Sequence, residues 1–438
     1  MAAPWSRTTV VEGGRVIAVG GLAVEDLATR FGTPLWVVDR DELVGRMRAY
    51  RAAFGPDVTV TYAAKALCVT GVLALASSEG LSVDVASGGE LATALRARVP
   101  GARLVFHGSN KSDEELAAGV AAGVGRFMVD SFSELERLAA IGRERGEPVA
   151  IALRVAPGVE ADTHAAIATG HDDVKFGFTL SAGLAHQAAA LAIAEPGLAL
   201  RGVHCHIGSQ IFTLGGFTAA AALLVGLLAD LRDRHGVTLG ELNLGGGLGI
   251  AQIAGEGEVD LAAYAEAVKG AVAAACTARD LDPPRLSVEP GRSVVGPAGL
   301  TLYRVGTLKH ISGVRTYLSV DGGMSDNPRP ALYGARYEFA AAGPAAPGRA
   351  GAGARLVSVA GKHCESGDVL AHDVALPADL RPGDLLAVAA TGAYNHAMAS
   401  NYNRVPRPAM VLVAGGEARL LVRRETLDDV LSLDVPLD

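Results

Sequence analysis

The chain has little of what usually classifies a sequence quickly. Its 438 residues hold four cysteines, Cys68, Cys205, Cys276 and Cys364, scattered and with no CxxC pair. That scarcity excludes a disulfide scaffold and suggests a reducing compartment. There is no basic block, and the net charge of −8 argues against nucleic acid as a partner. No charge-free apolar run reaches the ~20 residues that span a bilayer; the longest, 217–229, reads as a buried helix. The start has no basic segment followed by an apolar stretch, so no signal peptide is expected. These absences give the expectation of a cytoplasmic protein without membrane contact.

What is present is a large hydrophobic fraction, 50%, with aromatics at only 5%. Small residues on that scale suit helices packed closely on strands, and the length suits two or three domains. Eight short strand-like runs fall at 58–62, 81–85, 103–107, 126–130, 149–155, 202–206, 241–244 and 286–289. Helical patterns lie between them at 113–122, 133–145, 217–235 and 261–279, with Ser112 and Ser131 at expected N-caps. Eight such units predict a (β/α)8 TIM-like barrel, with a doubly wound sheet as the alternative. After residue 290 strand-like runs at 300–307, 316–320, 355–359, 385–389 and 410–414 predict a mostly β domain, with 340–354 as a surface loop. Runs at 8–11, 15–19 and 35–38 are expected to complete that domain. The domains are therefore expected at 1–39, 40–290 and 291–438.

Reactive residues gather at the C-terminal ends of the expected barrel strands, the face on which barrel enzymes build their sites. Lys65 follows the first strand among alanines; poor solvation there would favour its neutral, nucleophilic amine, or its stem is buried and its head stays in water. Asp84 lies near the end of the second strand and His206 ends the sixth. Gly245, Gly246 and Gly247 follow the seventh and suit either close phosphate approach or a tight loop. Glu289, Gly291 and Arg292 follow the eighth, as a carboxylate for a ring nitrogen with a guanidinium fork, or as a surface ion pair. His204 and His206 lack a third ligand set, so no metal is expected, and His204 reads as a satisfied core histidine. Cys364 is an acid/base thiol or a small buried residue in a turn, and Tyr394 a ligand-binding phenol or a core aromatic.

Taken together, the motifs resemble those of the diaminopimelate decarboxylases, pyridoxal-phosphate enzymes of the alanine-racemase-like fold. They are Tyr62-Ala-Ala-Lys65, His206-Ile-Gly-Ser209-Gln-Ile211, Leu244-Gly-Gly-Gly247, Glu289-Pro-Gly-Arg292, the block 321–334, Cys364-Glu-Ser-Gly-Asp368 and Gly392-Ala-Tyr394, all in family order. The resemblance runs from Pro34 to Tyr394 and implies pyridoxal 5'-phosphate as cofactor. It implies Lys65 as the Schiff-base lysine, His206 as the ring-stacking residue and Glu289 as the partner of the pyridine nitrogen. Ser209, Gly246, Gly247, Gly291, Arg292 and Tyr394 are implied as phosphate or cofactor contacts. Arg292, Arg329 and Tyr333 are implied as binders of substrate carboxylate, with Tyr394 beside them, and Glu365 as the partner of the distal ammonium. Cys364 is implied as the proton donor, delivered from a neighbouring subunit, so a homodimer with shared active sites is expected. The implied reaction is decarboxylation of meso-2,6-diaminopimelate to L-lysine. Decarboxylases of ornithine, arginine, carboxynorspermidine or a carrier-bound glutamyl group are the nearest rivals. A non-catalytic regulatory homologue and a small pyridoxal-homeostasis barrel are further ones.

Overall fold

A computed structural model describes residues 4–159, 175–345 and 353–437. The chain divides into two compact units, one of residues 46–250 and 257–293, the other of residues 1–45, 251–256 and 294–438.

The first unit is built on eight parallel strands: Thr59–Ala63, Ser82–Val85, Leu104–Phe106, Arg126–Val129, Val149–Ala156, Leu198–His204, Glu241–Asn243 and Arg285–Val288. Each pairs with its neighbour in chain order, and Arg285–Val288 pairs back to Thr59–Ala63, closing the ring. The expected (β/α)8 barrel is therefore present, and the doubly wound sheet is not. Each strand is a short apolar run because both of its faces are covered. Serines start several intervening helices: Ser112 forms a capping box with Glu115, and Ser131 accepts the N–H of Glu134 at 3.2 Å. The long helix Gly215–His235 buries Phe217, Leu224, Leu228 and Leu231, and ends at Gly236 in the left-handed region. It is the one described helix long and apolar enough to cross a membrane, but its buried apolar residues and charged last turns fit a core helix equally.

The second unit is mostly sheet. Leu35–Asp39 pairs antiparallel with Gly299–Ile311 and parallel with Ala409–Ala414. Arg15–Val19 runs parallel to Phe339–Ala342. The N-terminal strands thus complete the β unit, as expected. Val16, Leu35, Val37, Leu302 and Val411 form one core, and Tyr303, Leu318, Val359 and Leu386 another. Besides the two-residue strands Leu22–Ala23 and Phe178–Thr179, three strands were not anticipated: Phe339–Ala342, Val369–Pro377 and Glu417–Val422. The first corrects the expected loop at 340–354, since Ala340–Ala342 are paired with Leu385–Ala387; residues 346–352 of that loop lie outside the described residues.

Candidate active site in two sets of residues

In the barrel unit, a cavity of about 260 Å³ is lined by Lys65, Asp84, His107, Arg154, His204, His206 and Glu289, among others. Lys65 stands in a single turn of 3-10 helix, Ala64–Ala66, after the first strand. It is exposed, which corrects the expectation of poor solvation: the alanines around it are buried, but its own side chain faces the cavity. Gly291 packs against the strand end and this turn, where an added Cβ would lie 2.9 Å from that of Ala63 and 3.1 Å from that of Ala66.

Glu289 is 6% exposed, one residue past the eighth strand. Its Oε1 accepts from Asn243 Nδ2 at 2.7 Å and lies 2.9 Å from His107 Nε2, and its Oε2 lies 3.2 Å from His204 Nε2. Burial opposes its charge, but the flanking imidazoles outweigh burial and hold it well below the usual carboxylate range. Asp84, which accepts the N–H of Ala64 at 3.1 Å, is pushed well up by burial and by the charge on Glu289. The pair therefore keeps its negative charge on Glu289. His206 is driven well below its ordinary value by burial and by the nearby Lys65, which leaves a neutral, flat imidazole. The sixth strand ends at His204, two residues before the expected end at His206.

His204 is not the satisfied core residue expected. It is 1% exposed, and neither ring nitrogen makes a hydrogen bond of good geometry, although one lies near Glu289. The reason is its position, aimed across the ring at Glu289 and His107. One ligand atom from each of His107, His204 and Glu289 lies within 4.8 Å of the others, a set different from the His204 and His206 pair of the sequence. His107, Asn243 and Arg154 were not named from the sequence, yet all lie at or near the ends of runs that were read as strands. They meet only because the ring closes.

The glycine run is tight. An added Cβ at Gly246 would lie 2.1 Å from the carbonyl oxygen of Glu289, and one at Gly247 2.4 Å from that of Gly208. Gly247 also has φ +123°, which side-chain-bearing residues avoid. Ser209 and Arg292 come together, with Arg292 Nε and Nη2 donating to Ser209 Oγ at 3.2 and 3.1 Å. Arg292 is 6% exposed and Glu289 is held by other partners, so their reading as a surface ion pair is excluded.

In the β unit, Arg329 opens the short helix Arg329–Tyr333 and is 4% exposed. Its guanidinium lies 5.2 Å from the ring of Tyr333 and 5.6 Å from that of Tyr394. Among the described residues it forms no ion pair, and its Nε has no hydrogen-bond partner. A buried cation between two aromatic faces suits a carboxylate ligand. Tyr394 is half-buried with φ 65°, so it is not a plain core aromatic. Cys364 and Glu365 are exposed, which excludes the buried-turn reading of the thiol. Tyr402 OH lies 3.5 Å from Glu365 Oε2.

Comparison with known proteins decides the family. The family of the pyridoxal-dependent decarboxylase pyridoxal binding domain matches residues 40–296. A diaminopimelate decarboxylase from Actinosynnema pretiosum subsp. auranticum is 48% identical, over 98% of this chain and 95% of its own. The chain belongs to the diaminopimelate decarboxylases. The enzyme of this name from Bacillus subtilis is 46% identical over 96% of this chain and 95% of its own. The diaminopimelate decarboxylase from M. jannaschii, solved in co-complex with L-lysine, has a TM-score of 0.91 and 33% identity, covering 99% of this chain and 98% of that one. Diaminopimelate decarboxylases use pyridoxal 5'-phosphate, and the barrel residues fit that group: an amine, a neutral flat imidazole and an anionic carboxylate border one cavity.

Proposed function

We propose that the barrel residues, together with Tyr394, hold the cofactor, and that Arg329, Tyr333 and Glu365, together with Arg292 and Tyr394, read the substrate, of a pyridoxal-dependent decarboxylation. The reaction converts meso-2,6-diaminopimelate to L-lysine and carbon dioxide, the last step of lysine biosynthesis. Bound pyridoxal 5'-phosphate supplies the electron sink for the breaking Cα–carboxylate bond. Lys65 holds the cofactor through its Nζ, His206 offers a flat face to its ring, and Glu289 keeps its pyridine nitrogen protonated. Ser209, Gly246, Gly247, Gly291, Arg292 and Tyr394 contact its phosphate or other parts of the cofactor.

Arg329 and Tyr333, with Arg292 and Tyr394, bind substrate carboxylate, and Glu365 binds the distal ammonium. Fixing one end of a substrate whose two ends carry the same groups presents a single centre for reaction. Cys364 gives a proton to the carbon that has lost carbon dioxide. A homodimer with shared active sites, in which the partner copy supplies the Cys364 turn, and a cytoplasmic location complete the reading. The observation that carries it is the single cavity bordered by both the Lys65 amine and the restrained Glu289 carboxylate.

Purified protein with pyridoxal 5'-phosphate is expected to make lysine from meso-diaminopimelate. Carbon dioxide release from ornithine or arginine at an equal rate would overturn the substrate assignment.

A further inference from the structure

Cys364 sits on an exposed turn, yet the turn is tied to buried groups. Its backbone N–H donates to Asn403 Oδ1 at 3.2 Å, and the same oxygen lies 3.3 Å from His363 Nδ1. Nδ1 therefore carries the ring proton, and Nε2 accepts from the Ser325 hydroxyl at 2.8 Å. His363 and Ser325 are 8% and 4% exposed. The His363 ring also packs against Tyr402, the residue before Asn403, with centroids 5.3 Å apart. At the other end of the turn, the Asp368 carboxylate accepts the N–H of His363 at 2.8 Å and of Met324 at 2.7 Å. Asn403 itself has φ 51°, in the left-handed region that asparagine tolerates better than most residues.

We propose that Asn403 is a positioning residue that fixes the direction from which the Cys364 thiol delivers its proton. One side-chain oxygen ties the Cys364 backbone to the buried His363–Ser325 pair. Without it, the Cys364 N–H loses its acceptor, the turn beyond His363 is less restrained, and the thiol samples several directions. The inference rests on Cys364 being the proton donor. In that step the S–H bond breaks, and the carbon that lost carbon dioxide supplies the electron pair of the new C–H bond. The sulfur is left as thiolate and regains a proton from water.

The test compares holoenzymes carrying Asn403→Gly, Asn403→Asp and Cys364→Ala. The glycine keeps the left-handed backbone and deletes the acceptor, whereas the aspartate keeps the acceptor. Turnover of meso-diaminopimelate in heavy water places deuterium on the product carbon, and the stereochemical purity of that label reports the direction of delivery. Asn403→Gly should lower kcat by about 10- to 100-fold at nearly constant KM and mix the label. It should also change the rate at which iodoacetamide alkylates Cys364 in the resting enzyme. Asn403→Asp should restore all three readouts. Wild-type label purity and kcat in Asn403→Gly would overturn the inference. If Cys364→Ala leaves kcat and label unchanged, the proton-donor reading itself fails. Should Asn403→Gly not fold, Ser325→Ala loosens the same chain at its buried end, and unchanged label purity there overturns the inference equally.

Discussion

Two carboxylates, one in each unit, are buried to nearly the same depth and respond in opposite ways. Glu289 in the barrel unit is 6% exposed and is held well below the ordinary range. Asp326 in the β unit is 1% exposed and is pushed up to about 7, first by burial. Depth therefore does not decide the charge; the neighbours do. Glu289 has an amide and two imidazoles turned toward it. Asp326 has the Tyr303 phenol at 2.7 Å and the N–H of Gly323, with Asp321 and Asp368 adding like charge nearby. The contrast extends to the two sets of functional residues. The barrel's carboxylate is already matched within its own unit, whereas Arg329 is buried without an ion pair among the described residues and Glu365 stands exposed. On the proposed function, the first set would hold a resident group, and the buried Arg329 guanidinium would meet the carboxylate of a passing one.

Substitutions should separate along that line. Lys65→Ala should have the largest effect, abolishing both turnover and the visible absorbance of bound cofactor; an active variant would break the contrast at its root. Arg329→Met should leave the absorbance intact and lower kcat/KM for diaminopimelate by about 100-fold, mostly through KM. Loss of cofactor absorbance instead would place Arg329 in the cofactor set. Glu365→Ala should act in the same direction but more weakly, by about tenfold, because an exposed charge pair is screened. Steady-state kinetics with undiminished cofactor content checks it.

The last prediction concerns stability rather than activity. Folded Asp326 keeps its proton between about pH 4 and 7 where the unfolded side chain has lost it. Its contribution therefore falls as pH rises through that window, by at most about 1.4 kcal/mol per unit. Asn has no such proton, so denaturant midpoints of Asp326→Asn should fall less steeply than wild type from pH 4 to 7. Parallel curves would show that Asp326 titrates like an ordinary carboxyl.

The barrel was legible because its strands are short, largely apolar runs stopped by turn residues, several with a polar residue at or just beyond the end. The same pattern marked Lys65, His206 and Glu289. The three longer missed strands lack it. Phe339–Ala342 sits in an alanine-rich stretch that reads as spacer, and Glu417–Val422 is largely exposed. Val369–Pro377 is interrupted by exposed His372 and by Asp373 at φ 52°. The partners of Glu289 were invisible for another reason. His107, His204 and Asn243 come from the third, sixth and seventh strands, and no local pattern says which strand ends will face each other across a closed ring. The exposure of Lys65 was misjudged because neighbouring alanines report the burial of the backbone, not the direction of the lysine.

The strand Leu35–Asp39 carries a consequence for how the chain is made. All five of its residues are buried, between a strand beginning at Gly299 and another beginning at Ala409. The ribosome delivers this apolar segment first and its last partner near the end. At ordinary synthesis speeds the gap is on the order of tens of seconds. Both of its edges stay unpaired while the whole barrel is made, and one stays unpaired until the strand beginning at Ala409 emerges. Newborn chains on one messenger are thus at risk of pairing with each other through this segment.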